Sequence, residues 1–203
     1  MEANIIYNID CLTGLRNLPD DSIDCCVTSP PYFNLRDYGV SGQIGLEDTP
    51  EQYIQKLVGV FHEVRRVLAP AGTLWVNIGD CYAGSGKGAA NYPDNAMKYK
   101  QGTNRGTVGR SAIVKKFDGY KSKDLIGIPW MLAFALRADG WFLRQDIIWA
   151  KPNPMPESMK DRCTKSHEYI FLLTKSPKYY FDCEAIHEKA VTSGTIPTNA
   201  PRY

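Results

Sequence analysis

The sequence lacks the features that would assign it to several common protein classes. No apolar run reaches the roughly 18 residues that mark a membrane-spanning helix, and the start of the chain has neither the basic flank nor the long apolar stretch of a signal peptide. The six cysteines include no Cys-x-x-Cys pair, and the three histidines are not at ligand spacing. We therefore expect a cytoplasmic protein with reduced cysteines, no metal and no membrane association.

The net charge of the chain is small, but positive charge is concentrated in one segment. The net charge of the 203 residues is only +2, yet residues 81–123 contain nine Lys or Arg against two acids. This segment is longer than an ordinary connection within a compact domain, and it contains four tyrosines. It is either a solvated loop or a surface that follows phosphates. We favour the second, and expect DNA contacts from Lys87, Lys115 and Lys116.

Apolar periodicity predicts an α/β fold in which helices cover a mostly parallel sheet. A four-turn helix begins after Thr49, which can cap it, and ends before Pro70. Residues 23–28 predict a buried strand, since they are too apolar for a sheet edge. The other predicted elements are a short helical turn after Asp10-Cys11, a helix at 129–138, strands at 4–9, 73–78, 141–149 and 167–174, and a hairpin strand at 178–181.

The motif Ser29-Pro30-Pro31-Tyr32 follows a predicted strand directly, where open α/β sheets bind ligands. An exocyclic amine is a poor nucleophile until both of its hydrogens are donated to acceptors. The hydroxyl of Ser29 and the carbonyl of Pro30 can supply these acceptors on one rigid turn, while Tyr32 can stack on the ring. A base held in this way must first leave the duplex. The alternative is a proline-rich turn with a surface tyrosine.

Four ordered stretches carry a family resemblance, and together they cover most of positions 4 to 183. They are 18–32 (LPDDSIDCCVTSPPY), 66–76 (RVLAPAGTLWV), 147–153 (IIWAKPN) and 166–176 (SHEYIFLLTKS). The chain resembles the DNA amino-methyltransferases of restriction–modification systems and phages. Carbon-5 cytosine methylation would need a cysteine nucleophile in a Pro-Cys motif, which the sequence lacks.

The resemblance implies a Rossmann-like fold with helices on both faces of the sheet, and a single catalytic domain over residues 1–203. It also implies S-adenosylmethionine as cofactor and double-stranded DNA as substrate. Asp10 and Cys11 would lie beside the adenosyl group, with Ser29 close to the cofactor. The motif Ser-Pro-Pro-Tyr is commoner among cytosine N-4 enzymes than among adenine N-6 enzymes, so cytosine is favoured and adenine remains the alternative.

Further predictions concern DNA contacts and the completeness of the site. Arg36 follows the motif and could close over the substrate, and Lys151 could meet a phosphate. The family's glycine-rich cofactor turn is missing, so a later segment or a second chain would complete the site, and residues 184–203 would begin a linker or target-recognition region. A non-catalytic DNA-binding remnant is the rival of another class. Methylation of RNA or of protein glutamine is a third, which Ser29 and the basic segment disfavour.

Overall fold

A computed structural model describes residues 4–84, 117–154, 156–157 and 159–188. Lys87, Lys115 and Lys116, for which DNA contacts are predicted, lie outside these residues. The described elements, in chain order, are α1 (Cys11–Arg16), β1 (Ile23–Thr28), α2 (Pro50–Val67), β2 (Leu68–Ile78), α3 (Ile128–Ala138), β3 (Phe142–Ala150), β4 (His167–Thr174) and a short 3₁₀ turn (Glu184–Ile186).

The sequence signals at the start of α2 act as predicted. Thr49 is extended, and its hydroxyl accepts a hydrogen bond from the Gln52 backbone N–H at 3.2 Å. Pro50 occupies the first turn, where its missing N–H leaves no hydrogen bond unmade. The apolar face of the helix is buried along its whole length, at Tyr53, Ile54, Leu57, Phe61, Val64 and Val67. This face anchors the helix to the sheet.

The four strands form one sheet in the order β1-β2-β4-β3. β1 and β2 are parallel and are joined by α2, whereas β4 runs antiparallel to both β2 and β3. The α/β fold class is confirmed, but the sheet is mixed rather than mostly parallel. The reason is the connection from β3 to β4, which contains no described helix and returns the chain in the opposite direction.

Strand β2 begins five residues before its predicted start and follows α2 without a break. Ile23 of β1 pairs with Leu68 and Cys25 pairs with Thr73, so the register shifts between these two pairs. This irregularity accommodates Pro70 and Gly72 inside the strand, because a bulge tolerates the missing backbone donor of a proline. The predicted end of the helix was therefore nearly correct, whereas the predicted start of the strand was too late.

The core lies on one face of the sheet. Leu74, Val76 and Ile78 of β2 alternate inward and are fully buried against residues of α2 and α3. Val27 on β1 points away from this core and is 77% exposed. Among the described residues the long helices thus cover one face only, and β1 is a sheet edge. The predictions of a buried β1 and of helices on both faces are wrong for the part of the chain described.

Two further strand predictions are also wrong. Residues 4–9 form no strand, and Ile6 in this stretch is 98% exposed. Residues 178–181 form no strand either, although the Tyr180 N–H donates to the Ala71 carbonyl at 3.0 Å. An apolar sequence needs a neighbouring strand to pair with, and neither stretch has a full one among the described residues.

No described helix is long and apolar enough to cross a membrane.

Candidate active site

The turn Ser29-Pro30-Pro31-Tyr32 begins directly after β1, where Thr28 is paired with Val76 of the parallel strand β2. Ser29 is exposed, and Pro30 is buried. The fully buried Tyr53 of α2 donates its hydroxyl to the carbonyl of Pro31 at 2.8 Å. Burial raises the pKa of Tyr53, so that this hydroxyl keeps its hydrogen. The turn is therefore fixed to the core from one side.

Two glycines allow the backbone to approach Tyr32 closely. A Cβ atom on Gly79, the first residue after β2, would lie 2.7 Å from Cε2 of the Tyr32 ring. A Cβ atom on Gly45 would lie 3.0 Å from the Tyr32 carbonyl oxygen, and Gly45 also has a positive φ of 104°. Any larger residue at position 79 would displace the ring. The position of Tyr32 thus depends on the end of β2.

The hydroxyl of Tyr32 lies between two acceptors from other strands. It is 2.8 Å from Oδ1 of Asn77 near the end of β2, and 2.9 Å from Oε2 of Glu168 at the start of β4. Burial, together with the neighbouring Glu168 carboxylate, raises the pKa of Tyr32 to about 12. The hydroxyl is therefore protonated at neutral pH and acts as a donor.

The carboxylate of Glu168 is ionised and paired. Nζ of Lys151, which follows β3, forms a hydrogen-bonded ion pair with Oε1 of Glu168. Burial of the carboxylate opposes ionisation, but the hydrogen bonds from Lys151 and Tyr32 outweigh it and hold the pKa of Glu168 below its ordinary value. The ends of β2 and β3 and the start of β4 thus meet the turn from Ser29 to Tyr32 through charged or polar side chains.

Asn77 links this group to Ser29. Its Oδ1 atom is 3.5 Å from Oγ of Ser29, and its amide nitrogen donates to the carbonyl of Tyr169 at 3.2 Å. A carbonyl oxygen only accepts, so the nitrogen of the Asn77 side chain must face Tyr169. Its oxygen is thereby directed towards Ser29 and Tyr32.

A cavity of about 250 Å³ adjoins the turn. This volume is slightly below the usual range for small-molecule pockets, roughly 300–1,000 Å³, and suits a single base better than a whole cofactor. The cavity is lined by Tyr32, Phe33, Leu35, Gly79, Asp80, Cys81, Tyr82, Glu157, Arg162 and Lys165. Burial lowers the pKa of Lys165. Aromatic rings, two cationic side chains and two carboxylates therefore surround this space, which Tyr32 borders and Ser29 does not.

The wall of this cavity is fixed by two sets of contacts. Asp80 accepts hydrogen bonds from the backbone N–H groups of Gly127 and Ile128, at 3.0 Å to Oδ1 in each case, and so caps α3. The guanidinium of Arg162 lies 4.2 Å from the centre of the Tyr82 ring, and it pairs with Glu157 at 2.5 Å. The cavity is thus bordered by the residues that follow β2 on one side and by the loop between β3 and β4 on the other.

The predicted DNA-contacting residues differ in their surroundings. Arg36 is half-buried just beyond the turn, and its carbonyl accepts a hydrogen bond from the Gln43 side chain at 2.9 Å. Lys151 is paired with Glu168 behind Tyr32, so a phosphate would have to compete with that carboxylate. In the basic segment, the described Lys123 pairs with Asp161 at 2.6 Å. DNA contacts by these residues stay predictions.

Asp10 and Cys11 lie at the start of α1. Asp10 caps this helix, because its Oδ1 accepts from the backbone N–H and the hydroxyl of Thr13, at 3.0 and 3.1 Å. These hydrogen bonds, led by the backbone one, hold the pKa of Asp10 below its ordinary value. The Asp10 side chain is exposed, and its contact with the cofactor stays a prediction.

Sequence reasoning missed Asn77, Asp80 and Glu168. The rule that drew attention to Ser29, that ligands bind beyond strand ends, applies equally to Asn77 and Asp80 at the end of β2. Glu168 could not be placed in this way, because its contact with Tyr32 requires β4 to run antiparallel. Within the described ranges, no group of three or more His, Cys, Asp or Glu is arranged to hold a metal ion.

Comparisons with known proteins agree with this geometry. A family model described as DNA methylase matches residues 23–196. The Type II methyltransferase M.Cfr9I of Citrobacter freundii is 52% identical over 189 residues, covering 93% of this chain and 60% of the relative. The Type II methyltransferase M.XycI of Xanthomonas campestris pv. cyanopsidis is 48% identical over 198 residues, covering 96% and 62%. The chain thus spans about three fifths of the length of these relatives.

Solved structures show the same fold at low sequence identity. PvuII DNA methyltransferase, described as cytosine-N4-specific, superposes with a TM-score of 0.56 at 17% identity, covering 87% of this chain and 50% of that one. A DNA modification methylase of Thermus thermophilus, solved in complex with S-adenosyl-L-methionine, gives 0.53 at 22% identity, covering 87% and 55%. The Rossmann-like class is therefore confirmed. With its motif at the end of β1 and the family match over most of its length, the chain belongs to the N6 and N4 DNA methylase family.

Proposed function

We propose that the protein transfers a methyl group from S-adenosylmethionine to the exocyclic N-4 amine of a cytosine flipped out of double-stranded DNA. The observation that carries this proposal is the exposed Ser29 on a fixed turn at a strand end, three residues before Tyr32, which lines a cavity of about 250 Å³. Family membership supports the reaction class, and the serine of the motif favours cytosine. Adenine N-6 is the alternative, because the same turn can hold either amine.

The residues of the turn would act on the amine before transfer. Ser29 Oγ and the Pro30 carbonyl each accept one amine hydrogen, which leaves the nitrogen lone pair free to attack. The Pro30 carbonyl suits this role, since it accepts no hydrogen bond from the described part of the chain. Tyr32, held at its hydroxyl, presents its ring to the flipped base. Much of the acceleration would come from positioning.

S-adenosylmethionine, when bound, supplies an activated methyl group on a sulfonium. Asp10 and Cys11 are the described residues to which the family resemblance assigns cofactor contacts, and the exposed Oδ2 of Asp10 suits a hydroxyl or amine donor. The basic segment, residues 81–123, would follow the DNA backbone. A later segment or a second chain would complete the cofactor site.

A nucleoside analysis tests the reaction. The whole protein is incubated with unmethylated plasmid DNA and S-adenosylmethionine, and the digested DNA is analysed by mass spectrometry. We expect N4-methylcytosine, and Ser29→Ala should lower its formation by at least about 100-fold, in line with the loss of a donor or acceptor that acts in the transition state. N6-methyladenine instead would establish the alternative target.

Two outcomes would contradict the proposal. Unchanged turnover by Ser29→Ala would remove this hydroxyl from the mechanism. The absence of any methylated base, with no calorimetric binding of S-adenosylhomocysteine, would indicate a DNA-binding remnant. DNA affinity serves as the control, because Ser29→Ala changes one hydroxyl and should leave affinity within about twofold.

A further inference from the structure

We propose that Glu168 is a positioning residue for methyl transfer, which acts through Tyr32 and Asn77 on the hydroxyl of Ser29. The inference rests on the proposed role of Ser29 as an acceptor for the target amine. The residues involved form one continuous chain of contacts across four strand ends: Lys151, Glu168, Tyr32, Asn77 and Ser29. Glu168 would not itself touch the base.

The hydroxyl of Ser29 must be oriented before it can accept from the target amine. A serine hydroxyl has one hydrogen and two lone pairs, so it can accept from an amine only if its own hydrogen is directed elsewhere. Oδ1 of Asn77, 3.5 Å from Oγ of Ser29, is one acceptor within reach, and the hydroxyl oxygen of Tyr32 is another. This distance is long, so the bond is easily lost to a competing donor.

Tyr32 is the donor that competes with Ser29 for Asn77. The hydroxyl of Tyr32 lies 2.8 Å from the same Asn77 oxygen, and it has a single hydrogen to donate. Its other acceptor is Oε2 of Glu168 at 2.9 Å. A carboxylate is a considerably stronger acceptor than an amide oxygen. The hydrogen of Tyr32 therefore goes to Glu168, which leaves Oδ1 of Asn77 for Ser29.

An ion pair with Lys151 keeps the carboxylate of Glu168 ionised. The side chain of Glu168 is only 20% exposed, and an unpaired carboxylate in such a place would tend to take up a proton. Lys151 provides the compensating charge. If the charge on Glu168 is removed, Tyr32 has two acceptors of similar strength at similar distances and donates to Asn77 part of the time. While it does so, the hydroxyl of Ser29 loses Asn77 as an orienting partner.

A double-mutant cycle tests this reasoning. Single-turnover methyl transfer is measured with saturating whole protein for the wild type, Glu168→Gln, Tyr32→Phe and the double variant. Glu168→Gln should slow transfer by roughly 10- to 100-fold, the range for one hydrogen bond to a charged group, with DNA affinity unchanged. In the Tyr32→Phe background there is no hydroxyl to compete, so adding Glu168→Gln should have no further effect.

The chain offers a matched control. Glu63 on α2 is 23% exposed and pairs with Arg66 at 3.0 Å, and it lies on the helix rather than in the network around the turn. Glu63→Gln removes a comparable carboxylate and should leave the transfer rate within about twofold. If Glu168→Gln does not fold, Lys151→Met perturbs the same carboxylate, and its effect should likewise vanish beside Tyr32→Phe.

The outcomes separate this proposal from the proposed function. Equal slowing by Glu168→Gln in both backgrounds, or no slowing in either, would overturn the role of Glu168. If Ser29→Ala is slow in the same assay, the proposed function stands even though the positioning role falls. If Ser29→Ala matches the wild type, the role of Ser29 fails, and Glu168 has no hydroxyl to orient.

Discussion

Gly79 provides a sharp test of how precisely Tyr32 must be held. In Gly79→Ala the new Cβ would lie 2.7 Å from Cε2 of Tyr32, whereas carbon atoms pack at about 3.5–4.0 Å. The backbone of Gly79 is not left-handed, so alanine meets no conformational strain there. The clash is relieved only if the ring moves by about 1 Å. Because a displacement of this size can cost about 100-fold in rate, we expect methyl transfer to fall by about that factor.

Gly59 gives the matched control for the same substitution. It lies on the exposed side of α2, and a Cβ there would have no atom within 4 Å. Gly59→Ala should therefore stabilise the protein by about 0.5–1 kcal/mol and leave the rate unchanged. Gly79→Ala should cost about 1–3 kcal/mol of stability through overpacking, measured as a shift in the urea midpoint.

The transfer rate of folded Gly79→Ala decides whether the ring of Tyr32 must be held in place. If Gly79→Ala is folded and transfers methyl groups at the wild-type rate, the ring of Tyr32 is not a positioned part of the site. A rate that falls only in proportion to the folded fraction would also contradict the reasoning. The rate is therefore measured well below the unfolding transition of the variant.

Two further predictions concern stability. Tyr53→Phe removes the hydrogen bond to Pro31 and leaves that carbonyl without its donor, so it should lower the free energy of unfolding in urea by about 1–3 kcal/mol. An unchanged urea midpoint would show that Tyr53 does not anchor the turn. Glu168 has a lowered pKa in the fold, so its ionised form stabilises the protein above the ordinary value of 4.5, and this contribution is lost as the pH falls through the folded pKa. The thermal midpoint of the wild type should accordingly fall towards that of Glu168→Gln as the pH drops below 4.5. A constant difference between the two midpoints across this pH range would contradict the pairing of Glu168 with Lys151.

Local signals in the sequence predicted α2 and the site turn well. Thr49 and Pro50 mark a helix start by chemistry that needs no distant partner, and the motif Ser29 to Tyr32 has a backbone that its prolines restrict. Residues 4–9 were predicted as a strand from apolar content alone. A strand exists only through pairing, and sequence pattern does not report whether a partner is present.

The polar network behind the turn could not be predicted from local pattern. Asn77 and Glu168 each belong to strands whose apolar neighbours dominate the periodicity, so their side chains only interrupt that pattern. Their meeting at Tyr32 depends on strand order and on the direction of β4, which are global properties of the sheet. Lys151 was predicted to contact a phosphate. Its ion pair with Glu168 was not predicted, because that pair links two strands that run in opposite directions.

The arrangement of β4 has a consequence for when the protein becomes competent during synthesis. The hydroxyl of Tyr32 reaches across 136 positions of sequence to Glu168, so the motif emerges from the ribosome long before its last anchor does. Contacts of such long range form late, because the intervening chain must first be closed into a loop. A nascent polypeptide in which Ser29 has already been synthesised would therefore remain inactive until β4 has paired with β2.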